Sequence, residues 1–367
     1  MISFLDTMIK NSLQYERPKR SQVYVGFQCH QKCGFCYYKD HFHEPMFPKE
    51  KVLIQIDLLL AYGITDFEIT GGEPSECLDL RFYCEYIKNK LPSAKIAIIT
   101  NGGLYNSNIW DLIDEVLISY HISGNDKEIN KSIFPNGHTY NKVIKTIQKA
   151  RELNKFIRTN TIIAKFNIKN FDLIVEDLIQ FKPNIINFLP VNLFDDAENY
   201  MQDYIDYNIV SNIIKKSINT ILLKLPEQPI FVRYMPYCNM EGYEKYIVGT
   251  FQHIFDWFDW NRELCGTFLF DLLNKYNNNI DDILKSLGRF GSTSFKATDL
   301  CRNEHYEKSH DCLKCKYNII CDGVEKTKEH KLLKFIKPVP GKIIKDVNFY
   351  LKDTTYNIYN RYYDDKK

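Results

Sequence analysis

Short runs rich in β-branched and aromatic residues alternate with helical stretches over the first half of the chain. Residues 52–62 form an apolar helix that Gly63 ends, and Val143, Ile147 and Ala150 fall on one face of a later helix. The alternation predicts repeated βα units with a parallel sheet, which right-handed crossovers curl into a partial or complete barrel. Six strands are predicted, over residues 22–27, 66–70, 95–100, 115–121, 157–163 and 185–191.

The pattern becomes irregular in the last third of the chain. A helical stretch over residues 204–225 ends at Pro226, and residues 230–234 are a candidate seventh strand. The periodicity weakens after Cys238, so we place a domain boundary near residue 236. The predicted organisation is an N-terminal helical segment over residues 1–21, a barrel over 22–236 and a smaller cysteine-rich domain over 237–367.

The composition is that of a globular chain without a strong charge preference. Of 367 residues, 44% are hydrophobic, and 48 basic residues against 46 acidic ones leave a formal net charge of +2. This balance lacks the basic footprint that duplex nucleic acid requires, so we expect no nucleic-acid partner. No run approaches the roughly 18 to 20 apolar residues of a membrane span, and Asp6 and Lys10 interrupt the N-terminus where a signal peptide would be apolar. We expect a soluble cytoplasmic protein with no membrane contact.

Eleven cysteines need a chemical explanation, because reducing cytosol disfavours structural disulfides and favours thiols as metal ligands or catalytic groups. Cys29, Cys33 and Cys36 lie within eight residues and directly follow the first predicted strand. In a βα barrel this is the face on which sites are built. Three thiolates on one loop can ligate three irons of a four-iron cube, which leaves the fourth iron open to bind a small molecule and pass it an electron.

A structural zinc site is the alternative for this loop. Zinc is commonly held in a tetrahedron by three cysteines and one histidine. The histidines that could supply the fourth ligand are His30, His41 and His43.

The cysteine loop and a second motif together resemble the radical SAM superfamily, whose members use S-adenosylmethionine. The loop has CxxxCxxC spacing, with Phe35 just before the third cysteine and Tyr37 just after it. Gly71-Gly72-Glu73-Pro74 follows the second predicted strand and matches the GGEP motif of the family. The resemblance covers the six-strand region, about half the chain. It implies a partial (β/α)6 TIM-like barrel.

The resemblance also implies a set of cofactor contacts. The open iron of a four-iron, four-sulfur (4Fe-4S) cluster on the loop would chelate the amino and carboxylate groups of the methionyl moiety. The two glycines and Glu73 of the GGEP motif would bind that amino group, since glycine permits close approach and a carboxylate accepts hydrogen bonds from ammonium. Tyr37 would lie near the adenine. Ser119 and Arg158 are candidates for the ribose and the carboxylate, although such residues are equally typical of a surface or of packing.

A second set of cysteines lies near the C-terminus. Cys312-x2-Cys315-x5-Cys321, followed by Asp322-Gly323, resembles the extension called SPASM or twitch, which carries auxiliary iron–sulfur clusters in one large branch of the superfamily. The full SPASM pattern has another cysteine four residues after the third, where this chain has Glu325. This departure implies one auxiliary cluster, closer to the twitch type.

A fully ligated auxiliary cluster needs a fourth thiolate. We favour Cys238, because it follows the candidate seventh strand where the chain leaves the barrel; Cys301 and Cys265 are the other candidates. Without a fourth thiolate the site would be open to substrate. A zinc ribbon is the alternative for this region, because CxxC pairs commonly bind zinc.

The resemblance implies an enzyme that reductively cleaves S-adenosylmethionine to a 5′-deoxyadenosyl radical, which abstracts hydrogen from a substrate with help from the auxiliary cluster. A reductant such as flavodoxin or ferredoxin is the expected partner.

Many enzymes with this extension modify ribosomal peptides through a small domain before the barrel, but only 21 residues precede the first predicted strand here. We therefore favour a small-molecule, sugar or nucleoside substrate over a maturase of a peptide or protein. A non-catalytic metal-binding or electron-transfer protein is the third hypothesis, and it predicts four thiolates at both sites and no use for Glu73.

Overall fold

The computed structural model describes residues 18–31, 33, 35–36, 38–41, 43–124, 140–191, 204–291, 294–327, 330–351 and 354–363. Residues 1–17 of the predicted N-terminal helical segment, and Tyr37, lie outside the described residues. None of the described helices has the length and apolar composition that crossing a membrane requires.

Eight parallel strands of the described chain form one curved sheet, in which every strand pairs with its neighbours in sequence. Repeated right-handed βα units produce this order, because each connection returns the chain to the next position along the same sheet. The predicted α/β partial barrel is confirmed. The strands are β1 (Arg20–Tyr24), β2 (Asp66–Thr70), β3 (Lys95–Thr100), β4 (Glu115–Ser119), β5 (Phe156–Ile163), β6 (Ile185–Pro190), β7 (Ile230–Arg233) and β8 (Ile247–Val248).

Helices alternate with the strands in the barrel region. The first of them buries Val52, Ile56 and Leu59 on one side. It ends where Gly63, at a φ of 99°, donates its N–H to Leu60 O at 3.1 Å. The described helices are α1 (Lys49–Tyr62), α2 (Leu80–Lys90), α3 (Tyr140–Glu152), α4 (Phe171–Phe181), α5 (Tyr207–Lys224), α6 (Gly266–Lys275), α7 (Ile280–Leu287), α8 (Ser294–His305) and α9 (Thr354–Tyr363).

The sheet extends beyond the predicted limits at both ends. It begins at Arg20, so the last two residues of the predicted N-terminal segment belong to the barrel. β7 matches the candidate seventh strand, and β8 lies after the predicted domain boundary at residue 236. That boundary therefore falls inside the sheet. A strand of two residues has no measurable alternation, which is why the sequence pattern does not reveal β8.

The C-terminal region contributes an edge segment and a small ladder. Asn261, in the irregular segment 256–264, donates its N–H to Arg20 O on the edge strand β1 at 2.7 Å. Phe258 of the same segment stacks on Phe156, with ring centroids 5.2 Å apart and 4° between the planes. An irregular segment thus contacts the edge strand β1 and packs on β5. Further along the chain, β9 (Tyr306–Glu307) and β10 (Val324–Glu325) form an antiparallel pair.

Four charged side chains fill the barrel interior near the amino ends of the strands. Arg20 donates two hydrogen bonds to Glu115, at 3.0 and 2.7 Å, and Arg158 pairs with both Glu115 and Glu68. None of the four is more than 3% exposed. Burial alone would raise the pKa of Glu115, but the guanidinium groups of Arg158 and Arg20 hold that pKa at about 2. Glu115 therefore stays ionised over the ordinary pH range.

The C-terminal helix α9 closes the same end of the barrel. The Tyr363 hydroxyl donates to Glu115 at 3.0 Å, and the Tyr359 hydroxyl donates to Asp66 at 2.6 Å. Glu115 and Asp66 are the first residues of β4 and β2, so α9 lies at the amino ends of the strands. The opposite end, where the βα loops lie, is the mouth of the barrel.

Candidate active site

The loops that follow β1 and β2 lie together at the mouth of the barrel. Gly72 donates its N–H to Gly26 O at 2.9 Å, and Glu73 donates its N–H to Gln28 O at 3.1 Å. Parallel strands place their carboxyl ends along one edge, which brings the cysteine loop and the GGEP motif side by side. These backbone hydrogen bonds hold the two segments against each other.

The two glycines of the motif permit that contact. Gly71 has a φ of 138°, and a Cβ atom there would collide with Gly26 O. A Cβ atom on Gly72 would collide with Gln28 O. Both positions need glycine because their backbone packs directly against the cysteine loop. Their contact with a cofactor amino group stays a prediction.

Glu73 is 1% exposed, and its carboxylate is held by donors from three positions. The Thr100 hydroxyl donates to Oε1 at 2.8 Å, and the Ser75 N–H donates to the same oxygen at 3.1 Å. The Asn101 N–H donates to Oε2 at 2.7 Å. Burial nevertheless raises the pKa of Glu73 above its usual value. A cationic group bound beside this carboxylate would favour its ionised form.

Asn101 links Glu73 to the cysteine loop, a role not predicted from the sequence. Its Nδ2 lies 3.8 Å from the Sγ of Cys29. Its Oδ1 is buried and has no partner among the described residues, and the same holds for Oε1 of Gln31. Two buried acceptors without donors fit a site that receives the ammonium group of a cofactor. The signal in the sequence, Asn-Gly after a strand, is also an ordinary turn pattern.

The three thiols of the loop are close neighbours. Cys29, Cys33 and Cys36 form no disulfide within the described residues, and all three are partly buried. Burial is the main cause that raises the pKa of Cys29 to about 12 and that of Cys36 to about 11. Burial also raises the pKa of Cys33, and neighbouring thiols contribute to the rise at Cys29 and Cys33. Such thiols lose their protons readily only when a cation compensates the charge. The donor set therefore fits an iron–sulfur cluster, as the spacing predicts.

Aromatic contacts hold the cysteine loop over the mouth. Phe35 stacks on Phe166, with centroids 4.9 Å apart and 19° between the planes, and meets the His121 ring edge-on at 5.0 Å. At the other side of the loop, Phe27 stacks on Tyr38 with centroids 4.9 Å apart. Phe166 and His121 follow β5 and β4, so the loop is fixed to strands on the far side of the barrel. The predicted adenine contact, Tyr37, lies outside the described residues.

Comparisons with known proteins identify the family of this site. Residues 23–178 match the sequence model described as the Radical SAM superfamily. Over these residues the chain is similar to radical SAM domains. It is 24% identical over 219 residues to the molybdenum cofactor biosynthesis protein moc-5 of Caenorhabditis elegans, a match that covers 57% of this chain and 36% of that protein. It is 23% identical over 209 residues to a probable GTP 3′,8-cyclase of Sulfurisphaera tokodaii, covering 55% of this chain and 66% of the relative.

The similarity of fold extends beyond the radical SAM domain. The solved structure of native anSMEcpe with bound AdoMet and Cp18Cys peptide superimposes with a TM-score of 0.51 at 14% identity, covering 95% of this chain and 97% of that one. At this identity the likeness concerns the fold alone. The prediction of an enzyme is confirmed, and the comparisons support the radical SAM superfamily. The hypothesis of a non-catalytic protein thereby loses its support.

Ser119 and Arg158 occupy different depths of the radical SAM barrel. Ser119 is the last residue of β4 and lies at the mouth, opposite Asn160, so its predicted ribose contact stays a prediction. Arg158 is the third residue of β5 and points into the barrel floor, where Glu68 and Glu115 hold its guanidinium group. The structure therefore does not support Arg158 as a cofactor contact. β5 continues for five residues beyond Arg158 toward the mouth, which separates its guanidinium group from the cysteine loop.

The cysteines of the C-terminal motif meet Cys238 at one cavity. Cys238, Cys312, Cys315 and Cys321 all line this auxiliary cavity. Burial raises the pKa of Cys238, and the neighbouring thiols of Cys315 and Cys312 raise it further. The sulfurs are therefore near one another although Cys238 is 74 positions before Cys312 in sequence. The remaining lining residues are Pro236, Lys308, Tyr317, Asn318, Gly323, Ile336 and Pro338.

Backbone amides point at the sulfurs of the auxiliary cavity. Gly323 donates its N–H to the Sγ of Cys321 at 3.4 Å, and Val339 donates its N–H to the Sγ of Cys315 at 3.3 Å. Hydrogen bonds to sulfur are one means by which proteins tune iron–sulfur clusters. These residues therefore fit such a cluster. Among the described residues, no three His, Cys, Asp or Glu side chains converge at the spacing of a single metal ion.

The other two candidates for a fourth ligand lie elsewhere. Cys265 and Cys301 are near each other and near Arg262, and neither lines the described part of the auxiliary cavity. Burial raises the pKa of Cys265 to about 11, although Arg262 donates a hydrogen bond to it. Of the three candidates, the fold thus brings Cys238 to the C-terminal motif.

Proposed function

We propose that this radical SAM domain holds a 4Fe-4S cluster on Cys29, Cys33 and Cys36 and binds S-adenosylmethionine beside Glu73. One observation carries the proposal: Asn101 bridges the buried Glu73 carboxylate and the Cys29 sulfur. A buried carboxylate next to thiolates is costly unless a cationic ligand compensates its charge. S-adenosylmethionine carries both an ammonium and a sulfonium group, so it supplies that charge.

The residues of the chain would bind and orient the cofactor. Oδ1 of Asn101 and Oε1 of Gln31 are buried acceptors that can receive ammonium protons. Stacking of Phe35 on Phe166 keeps the thiols in place over the mouth. When bound, the cluster and S-adenosylmethionine supply one-electron reductive cleavage of a carbon–sulfur bond, which starts a radical reaction. A flavodoxin or ferredoxin is the proposed electron donor.

We also propose one auxiliary iron–sulfur cluster, held by Cys238, Cys312, Cys315 and Cys321. Four thiols around one cavity match the four protein ligands of a closed cluster. The backbone donors at two of the sulfurs support an anionic occupant. Such a cluster would accept or return an electron during the reaction of the substrate.

The favoured substrate is a small molecule of the nucleoside or nucleotide class. Support comes from the sequence similarity to a protein named as a probable GTP 3′,8-cyclase. A maturase of a peptide or protein is the second candidate. It is favoured by the fold of anSMEcpe, which holds a peptide and whose similarity covers 95% of this chain.

The test of the proposed cofactors is anaerobic reconstitution with iron and sulfide. We expect about eight irons per chain, as two four-iron clusters, and release of 5′-deoxyadenosine when the reduced protein meets S-adenosylmethionine. Iron assay and chromatography of the nucleoside products measure both. Stoichiometric zinc without the iron–sulfur absorbance would contradict the proposal.

The substrate class is tested by isotope transfer. GTP deuterated on its ribose is incubated with the reduced enzyme, beside a panel of deuterated synthetic peptides. Deuterium recovered in 5′-deoxyadenosine identifies the molecule from which hydrogen is abstracted. Transfer from a peptide and not from the nucleotide would replace the first candidate by the second.

A further inference from the structure

Lys308 differs from every other residue at the wall of the auxiliary cavity. Among the described residues that line this cavity, it is the only one with a cationic side chain. Its ammonium group donates to the main-chain carbonyl of Asn318, which lines the same cavity. This hydrogen bond holds a positive charge at the cavity wall.

The β9–β10 ladder determines the position of Lys308. Glu307 pairs with Val324, so Lys308 leaves the ladder directly beside Gly323. A Cβ atom on Gly323 would collide with Glu307 O and press on the Lys308 stem at 2.8 Å, so this turn needs glycine. The N–H of Gly323 donates to the Sγ of Cys321. One turn therefore brings a backbone donor and an ammonium group to the same side of the cavity.

Two other charged groups interact with Lys308, and each has a partner of its own. Asp322 accepts the N–H of Thr250 at 2.6 Å, and Arg302 pairs with Asp299 at 3.2 Å. Of the four charged or thiol groups that interact with Lys308, Cys321 does so most strongly, and the thiol of Cys312 contributes as well. The ammonium charge therefore acts on the sulfurs as well as on the carboxylate of Asp322.

We infer that Lys308 sets the reduction potential of the auxiliary iron–sulfur cluster by stabilising its reduced form. The inference rests on the proposed cluster at this cavity. Four thiolates outweigh the positive charge of the iron–sulfur core, and reduction adds one more negative charge to a site shielded from water. A cation at the wall lowers the free energy of the reduced form more than that of the oxidised form. Lys308 is a positioning residue in this role, because it is not a ligand.

The experiment uses the full chain with Cys29, Cys33 and Cys36 changed to alanine, so that the auxiliary cluster is the only one. Lys308→Gln keeps a hydrogen-bond donor but removes the charge, and Lys308→Arg keeps the charge. Lys314→Gln is the matched control, because Lys314 is exposed, adjacent to Cys315 and outside the described cavity lining. Potentiometric titration followed by electron paramagnetic resonance measures the midpoint, beside iron content.

We expect Lys308→Gln to shift the reduction equilibrium at least about tenfold toward the oxidised form, which is 59 mV for one electron. Lys308→Arg and Lys314→Gln should keep the parental midpoint. A parental midpoint in Lys308→Gln with full iron content would overturn the inference and leave the cluster proposal intact. Absence of any cluster from the parent would overturn the cluster proposal itself, and the role of Lys308 with it. If Lys308→Gln loses its iron, retention by Lys308→Arg supports charge compensation, and loss from both overturns it in favour of a packing role.

Discussion

The two cysteine sites of this chain differ in the groups that surround their sulfurs. At the mouth, three thiols lie beside the buried carboxylate of Glu73 and the unpartnered acceptors of Asn101 and Gln31. At the auxiliary cavity, four thiols lie beside backbone N–H donors and Lys308. Acceptors suit a cationic ligand, and donors suit an anionic cluster that is complete in itself. Backbone N–H groups also donate to sulfurs at the mouth, so the two sites differ in the number of thiols and in the acceptors of Asn101 and Gln31, not in the presence of donors.

The largest expected effect comes from removing the mouth site. With Cys29, Cys33 and Cys36 changed to alanine, cleavage of S-adenosylmethionine should be abolished and iron should fall by about four per chain. Product assay and iron assay measure the two effects. Cys84→Ala is the control, because Cys84 is fully buried in the barrel core and should leave iron unchanged. If the triple variant still cleaves S-adenosylmethionine, the cluster that performs the cleavage lies at the other site.

Removing the auxiliary site should separate cofactor cleavage from product formation. With Cys312, Cys315 and Cys321 changed to alanine, iron should again fall by about four per chain, while uncoupled cleavage of S-adenosylmethionine continues. Turnover of the true substrate should disappear. The variant must first be monodisperse and as resistant to proteolysis as the parent, because a cluster can also stabilise its domain. If a well-folded variant forms product at the parental rate, the auxiliary site has only a structural role.

The charged network at the barrel floor should affect stability and leave both cysteine sites alone. Arg158→Met leaves Glu68 and Glu115 short of a buried partner, which costs about 3 to 5 kcal/mol of unfolding free energy. Urea denaturation measures the loss. Arg81→Met is the control, since its ion pair with Asp111 is exposed to solvent and contributes little to stability. If a folded Arg158 variant binds S-adenosylmethionine more weakly, the predicted contact between Arg158 and the cofactor regains support.

The same network predicts a dependence of stability on pH. The pKa of Glu115 is lowered from 4.5 to about 2, so its contribution to stability is complete above pH about 4.5 and is lost as the pH falls through about 2. Without Arg158 the pKa of Glu115 should rise, and the loss should begin at a higher pH. Denaturation midpoints measured across this range compare the two proteins. Parallel pH profiles would mean that Arg158 does not hold the Glu115 charge.

The smallest effect is expected from the carboxylate at the mouth. Glu73→Gln keeps the shape of the side chain but removes the charge that would pair with an ammonium group. A hydrogen bond to such a charged group contributes about 1.5 to 3 kcal/mol. The affinity for S-adenosylmethionine should weaken about tenfold or more with iron content unchanged. Equilibrium binding measures this, with Glu76→Gln as a nearby carboxylate that pairs with His30 instead. Unchanged affinity would mean that Glu73 does not contact the cofactor.

Local sequence determined the barrel strands and the two cysteine motifs. The predicted bounds of β2 and β3 agree with Asp66–Thr70 and Lys95–Thr100 residue for residue. Apolar runs, turn residues and short motif spacings are properties of neighbouring positions, so they can be read without the fold. The CxxxCxxC and GGEP segments needed only the order of the strands to be placed at one mouth.

Tertiary structure brings distant residues to each site. The sequence favours Cys238 over Cys265 and Cys301 only from its place after the seventh strand, and its position at the C-terminal motif depends on how a long, aperiodic stretch of chain folds back. The partners of Arg158 were likewise invisible, because alternation predicts the face of a strand but not which side chains of other strands meet it inside the barrel. Asn101 became part of the mouth site only once the ends of β1, β2 and β3 lay side by side. Contacts between residues far apart in sequence arise from packing of the whole sheet, and only the folded chain reveals them.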